Sequence, residues 1–240
     1  MSKLRNLSPN FSKKSRNKGA IKFVIIHYTG MQSEIESFKR LTNPKLKVSC
    51  HYLINRKGSV KQLVQENKVA WHAGKSKWKK FNNLNYNSLG IELVNKGHRL
   101  GYENFTSLQI KSLIKICKLL KKKYRLKKEN FLGHSDIAPM RKIDPGEKFP
   151  WKKLNKFDLG LWVDYQAIKF KNFKKNKSYI SKLFFKNLHK IGYRYFKVNK
   201  RTKNDILIIK AFQRRFTPNS ITGKIDQKTL NICHFLANLS

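Results

Sequence analysis

The sequence predicts an α/β body followed by a small three-helix module, and three features carry that prediction. Near-continuous apolar, β-branched runs at 22–28 and 88–95 read as strands, the first of them buried on both faces. A long amphipathic pattern, Leu108, Leu113, Ile116 and Leu120, reads as a helix from Thr106 to about Tyr124. After residue 164 the composition turns Lys/Asn-rich, and three short helical patterns follow. With 240 residues, 40% hydrophobic and 12% aromatic, the chain can bury a real core, which argues against global disorder.

Taken in order, residues 1–20 form a polar, basic lead that reads as poorly ordered. The strand at 22–28 ends in Thr29-Gly30 and carries His27 at its C-terminal end. Residues 33–41 read as a helix with Ser33 as N-cap and Glu36 at the capping-box offset. Runs at 51–54 and 59–64 flank Asn55-Arg56-Lys57-Gly58, a hairpin signature. A Trp71-His72-Ala73-Gly74 loop follows, then a Lys/Asn-rich segment to Asn87. The stretch 133–146 is punctuated by Pro139, Pro145 and a glycine at each end, so it reads as an ordered loop rather than a helix or internal strand. Within it, Asp144 sits on backbone stiffened by Pro145. The body spans 21–163, a linker 164–177, and the module 178–240, with helices at roughly 179–190, 203–215 and 226–238. Asp205 and Asp226 sit near the starts of the second and third, where first-turn acids belong.

The formal charge is +41, distributed along the whole chain rather than gathered in one patch. Attraction to a polyanion, whether nucleic acid, anionic lipid or an acidic wall polymer, competes with the plainer reading that Lys fills solvated faces. The plainer reading is preferred, because charge runs mostly mark solvated surface. No helix-turn-helix, RNA-recognition or finger motif accompanies the charge, so no specific nucleic acid is expected. Cys50, Cys117 and Cys233 are odd in number and widely spaced, which argues against a disulfide framework and suits a reducing compartment. Cys117 falls in an apolar helical pattern and reads as a buried small hydrophobe. No apolar leader is visible, and no run approaches the ~18 apolar residues of a membrane span.

Zinc hydrolases draw three protein ligands from His, Asp, Glu or Cys and leave the fourth position to water. His134 and Asp144 supply two, and His27 is the best-placed third, because a strand end lets a side chain emerge from a rigid scaffold. Each histidine alone is ordinarily a satisfied core or edge residue, and the gaps match no short metal motif, so spacing leaves both readings open. Glu92 lies in the middle of an apolar strand. It either faces solvent or is buried, where a raised pKa would suit general-base work. Lys142, two residues before Asp144, would point to the same side as Asp144 if the backbone there is extended, and a cation beside a metal could stabilise an oxyanion; one more solvated lysine among many is the default.

Five blocks then occur in order: His27-Tyr28-Thr29; Ser49-Cys50-His51-Tyr52-Leu53-Ile54; Ala70-Trp71-His72-Ala73-Gly74; Asn87-Ser88-Leu89-Gly90-Ile91-Glu92-Leu93; and Gly133-His134-Ser135-Asp136 through Lys142-Ile143-Asp144-Pro145-Gly146. Phe149-Pro150-Trp151 follows. Over residues 21 to about 155 this resembles the zinc-dependent type-2 N-acetylmuramoyl-L-alanine amidases, relatives of T7-type lysozymes and peptidoglycan-recognition proteins. The resemblance implies a mixed central β-sheet flanked by helices. It also implies one Zn²⁺ on His27, His134 and Asp144, Glu92 as catalytic acid/base, and Lys142 as the transition-state-stabilising lysine. Trp71, His72, Asn87 and Arg141 match substrate-binding positions, and His51 a nearby position that is not a ligand. A complete ligand set favours an enzyme over a non-catalytic recognition protein, which is the alternative.

The tail resembles a peptidoglycan-binding three-helix domain through Phe212-Gln213 and Gly223-Lys224-Ile225-Asp226-Gln227-Lys228-Thr229, with an ordinary packed helical appendage as its alternative. The expected reaction is hydrolysis of the amide between N-acetylmuramic acid, or its 1,6-anhydro form, and L-alanine in peptidoglycan or muropeptides. The missing leader favours the cytoplasm and the wall-binding tail favours the periplasm or wall, with the first preferred. The oligomeric state is left open.

Overall fold

The computed structural model describes residues 7–173 and 176–239. Its first half holds β1 (Phe11–Ser12), β2 (Phe23–Tyr28), α1 (Glu34–Thr42), β3 (Tyr52–Ile54), β4 (Val60–Gln62) and β5 (Val69–Ala70). There follow β6 (Lys77–Trp78), β7 (Phe81–Asn82), β8 (Ser88–Leu93), α2 (Gly97–Leu100), α3 (Ser107–Tyr124) and β9 (Phe131–Gly133). Single turns α4 (His134–Ile137) and α5 (Trp151–Asn155) precede the tail helices α6 (Lys177–Ile191), α7 (Asp205–Phe216) and α8 (Gln227–Asn238).

Five strands build the central sheet in the order β4-β3-β8-β2-β9. β3, β8, β2 and β9 are parallel, and β4 returns antiparallel through the turn at 55–58. The sheet is therefore mixed, with helices on both faces. β2 and β8 are buried almost throughout, which is why they read as unbroken apolar runs rather than alternations. Their side chains alternate across the sheet: Val24 and Ile26 cluster with Leu113 and Cys117 of α3, whereas Phe23 and Ile25 join Phe184, Phe185 and Phe212 of the tail. Register sets His27 directly beside Glu92, near the C-terminal ends of the two central parallel strands. That is the end at which open α/β sheets form clefts.

Helix starts follow their caps. Ser33 Oγ accepts from Glu36 N–H, Thr106 and Gln109 form a reciprocal capping box, and Asp226 accepts from Thr229 N–H. All three cysteines are buried and free, and no helix among the described residues is long and apolar enough to cross a membrane.

Four expectations change. The lead is not loose: residues 1–6 lie outside the described residues, but β1 pairs with β5, and the buried Arg16 guanidinium donates to the carbonyls of Glu66, Asn85, Tyr86 and Ser88. A basic segment orders here because buried carbonyls need donors. The stretch 133–146 opens with a helical turn, because Asp136 caps the Gly133 N–H at 2.8 Å. The linker is strapped to α8 through Asn231, which accepts from Lys171 N–H (2.9 Å) and donates to its carbonyl (3.0 Å); Lys174 and Lys175 lie outside the described residues. Finally, the tail is not separate from the body. Besides the shared apolar cluster, buried Arg215 pairs with buried Asp136 and stacks 3.8 Å over Trp151, and Tyr193 donates to the same carboxylate at 2.6 Å.

Candidate metal centre and cleft

Three elements deliver three ligand atoms. His27 comes from the end of β2, His134 from the turn after β9, and Asp144 from the loop's far end, brought back when Ser135 N–H donates to the Asp144 carbonyl at 2.9 Å. His27 Nδ1 and His134 Nδ1 are 2.9 Å apart, and they lie 3.0 and 3.1 Å from Asp144 Oδ2. Among the described residues this is the one His/Cys/Asp/Glu grouping with converging ligand atoms. The His134 Nε2–H donates to the Ala73 carbonyl (3.1 Å), which leaves its Nδ1 bare toward the cluster.

The charge states suit a cation. Burial pushes the His27 imidazole down to about 4, and His134 beside it acts in the same sense. Burial alone would raise the Asp144 carboxyl, but His134 and His27 hold it far below the ordinary carboxylate range. A neutral imidazole and an ionised carboxylate are what a metal requires of its ligands. Size fits as well. Atoms with separations of 2.9, 3.0 and 3.1 Å lie on a circle of about 1.7 Å radius, inside the ~2.0–2.1 Å reach of a zinc–nitrogen bond. His27, His134 and Asp144 would therefore hold one such ion together.

Glu92 is buried, at 9% exposure, and its Oε2 has no hydrogen-bond partner among the described residues. Burial, then nearby Asp144, pushes its pKa up to about 8, against the opposing pull of Lys142 and Arg40. It lines a cleft of about 390 Å³ together with the three ligand residues, Lys142 and Arg141. Lys142 is half-buried, and no salt bridge among the described residues holds its ammonium. Arg141 donates to the Lys75 carbonyl at 3.0 Å and to that of Ala73.

The other expected residues scatter. His72 lines the cleft wall but is almost fully buried, with its ring against His27. His51 is buried beneath it, and its Nδ1 accepts from Gly90 N–H at 3.0 Å. Trp71 lies outside the cleft lining and pairs its backbone with Ser49. Asn87 is not brought to the cleft: it precedes β8 at the opposite end of the sheet and donates to the Ala20 carbonyl. Five residue steps along the strand separate it from Glu92, on the order of 16 Å. Conversely, Arg40, on the exposed face of α1, reaches the cleft without any local signal in the sequence. The Ala73 carbonyl was equally hidden, because backbone groups leave no residue-type mark.

A family model described as N-acetylmuramoyl-L-alanine amidase matches residues 17–147. The N-acetylmuramoyl-L-alanine amidase AmiD of Escherichia coli is 35% identical over 231 residues, covering 90% of this chain and 82% of the relative. The 1,6-anhydro-N-acetylmuramyl-L-alanine amidase AmpD of Haemophilus influenzae is 34% identical over 164 residues, covering 61% of this chain and 86% of its own length. Among solved structures, E. coli AmiD in complex with anhydro-N-acetylmuramic acid-L-Ala-D-γ-Glu-L-Lys superposes with a TM-score of 0.81 at 32% identity, covering 95% of this chain and 92% of the other. AmpDh3 from Pseudomonas aeruginosa also gives 0.81, at 28% identity, covering 100% and 99%.

Proposed function

We infer the chemistry of the cleft from one premise: the chain belongs to the N-acetylmuramoyl-L-alanine amidase family, and it hydrolyses the amide between N-acetylmuramic acid and L-alanine. The observation that carries the reading is the triangle of His27, His134 and Asp144 beside a buried Glu92 whose Oε2 has no partner among the described residues. We assign zinc to the triangle. When bound, it supplies Lewis acidity, polarising a carbonyl and lowering the pKa of water toward ~7.

This chain's own residues supply the rest. Glu92 takes a proton from the attacking water and returns it to the leaving alanine nitrogen, a double task suited to a carboxylate poised near neutrality. The Lys142 ammonium balances charge that develops on the carbonyl oxygen. Arg141 and Arg40 offer cations to the carboxylates of a stem peptide. By likeness to AmiD, whose structure holds an anhydro-muramyl tripeptide, the substrates are muropeptides with an anhydro or ordinary muramyl end.

We also propose peptidoglycan binding for the tail, supported by its likeness to such domains. Part of its signature faces inward: Phe212, Gln213 and Thr229 are buried, and the Gln213 side chain accepts from Gly223 N–H (2.8 Å) and donates to the Lys224 carbonyl (2.8 Å), so any binding surface lies on exposed residues such as Lys224, Asp226 and Lys228.

A muropeptide digest followed by mass spectrometry, with and without a zinc chelator, tests the assignment. Free stem peptide that vanishes with chelator and returns with zinc is expected. Chelator-resistant release removes zinc from the mechanism, and stoichiometric binding without release makes the chain a recognition protein.

A further inference from the structure

We propose that His72 is a positioning residue for the metal centre, the middle member of a buried hydrogen-bond relay that makes His27 present a bare Nδ1 to the ion. The relay runs from the Leu84 carbonyl to Ser88 Oγ (2.6 Å), to His72 Nε2 (3.3 Å), and from His72 Nδ1 to His27 Nε2 (3.1 Å). Its direction is fixed at the far end. A carbonyl only accepts, so the single Ser88 hydroxyl proton goes to Leu84 and Ser88 Oγ is left to accept from His72 Nε2–H. A neutral His72 then has a bare Nδ1, which accepts from His27 Nε2–H. A neutral His27 with its proton on Nε2 has a bare Nδ1, the atom that faces His134 and Asp144. One backbone carbonyl thus sets a ligand tautomer three hydrogen bonds away.

The surroundings are shaped for this role. His27, His72 and Ser88 are 1%, 7% and 0% exposed, so water does not compete for the relay. A Cβ on Gly90 would lie 2.4 Å from the His72 ring, so the missing side chain makes the space in which the ring lies. Asn85 Oδ1 accepts from His72 N–H (3.0 Å) and Ala73 N–H (2.7 Å), clamping the loop. Adjacent residues of that loop therefore orient both imidazoles, His72 through its ring and Ala73 through its carbonyl on His134. This role replaces the substrate contact suggested for His72 by its motif.

The proposal rests on the zinc reading, and its test keeps the two separable. Zinc affinity is measured on the full chain by competition with a chromophoric chelator, for wild type, His72→Ala, His72→Asn and Ser88→Ala. Side-chain ¹⁵N shifts of the histidines are recorded in each metal-free protein. His72→Ala is expected to weaken zinc binding by about 10–100-fold. His72→Asn, whose Oδ1 can take the place of Nδ1, is expected to restore most of that loss. Ser88→Ala, which removes a single oxygen atom and so disturbs the packing less than His72→Ala, should weaken binding less and admit a second His27 tautomer. Wild-type zinc affinity in both His72→Ala and Ser88→Ala overturns the proposal, as does a raised KM alone in His72→Ala or a wild-type His27 whose proton lies on Nδ1. If wild type takes up no zinc, the zinc reading falls, while the His27 tautomer still decides the relay.

Discussion

At the scale of single residues, burial pushes Glu92 and His27 toward their neutral forms, while the two histidines keep Asp144 ionised. Glu92 has its folded pKa raised from 4.5 to about 8, so the stability tied to its protonation is complete below 4.5 and is lost as pH rises through 8. His27 and His51 are held down to about 4 and 3, so their contribution is lost in the other direction, as pH falls below 6.5. Between pH 6.5 and 8 Glu92 alone of these three titrates. Metal-free Glu92→Gln should therefore gain stability relative to wild type across that window in urea titrations, and parallel curves would mean that Glu92 is not buried as described. For Lys142→Ala, the loss of one oxyanion donor should lower turnover on the order of 10²–10³-fold. Unchanged turnover would remove Lys142 from the mechanism. Glu92 was legible as the one acid in an apolar run, and burial decided which of its two readings applies. Ser88 was not legible, since a small polar residue at a strand start has many ordinary uses.

At the scale of elements, β2 and β8 matter most, because their parallel register makes neighbours of His27 and Glu92 and of Ile25 and Gly90. Gly90→Ala would press a methyl group into the His72 ring, an overpacking expected to cost about 1–3 kcal/mol and to lower zinc occupancy as His72 shifts. Thermal melts and metal analysis of the purified variant check both, and a variant with wild-type melting and zinc content contradicts the described packing. These two strands were plain in the sequence because burial on both faces gives unbroken apolar runs. β1, β5, β6, β7 and β9 were not, since two or three residues hold too little periodicity to register. The turn at His134–Ile137 was hidden by prolines downstream of it, although its capping acid, Asp136, stands in the same motif.

At the scale of the whole molecule, the tail covers one face of the sheet and reaches the base of the loop that carries His134 and Asp144. Asp136 caps the turn that carries His134 and is itself held by Arg215 and Tyr193 from the tail. Arg215→Ala leaves that carboxylate buried and without its cation, and should destabilise the chain by about 3–5 kcal/mol in chemical denaturation. A change of a few tenths would mean that the tail is energetically detachable. The amphipathic patterns disclosed three tail helices but not their partner, because periodicity shows that a face is apolar and is silent about what covers it. The charge of +41 behaves in the same way: it marks solvated lysines in general, and of the cations that line the cleft, Arg141 and Lys142 were marked by their motif whereas Arg40 is singled out only by where the fold places it.

The most direct test of the central claim is turnover of a defined anhydro-muramyl peptide by Glu92→Gln, with zinc content measured on the same sample. Full zinc occupancy with turnover reduced about 10²–10⁴-fold is the expected result. Wild-type turnover in that variant would contradict it and remove Glu92 from the proton transfers of the reaction.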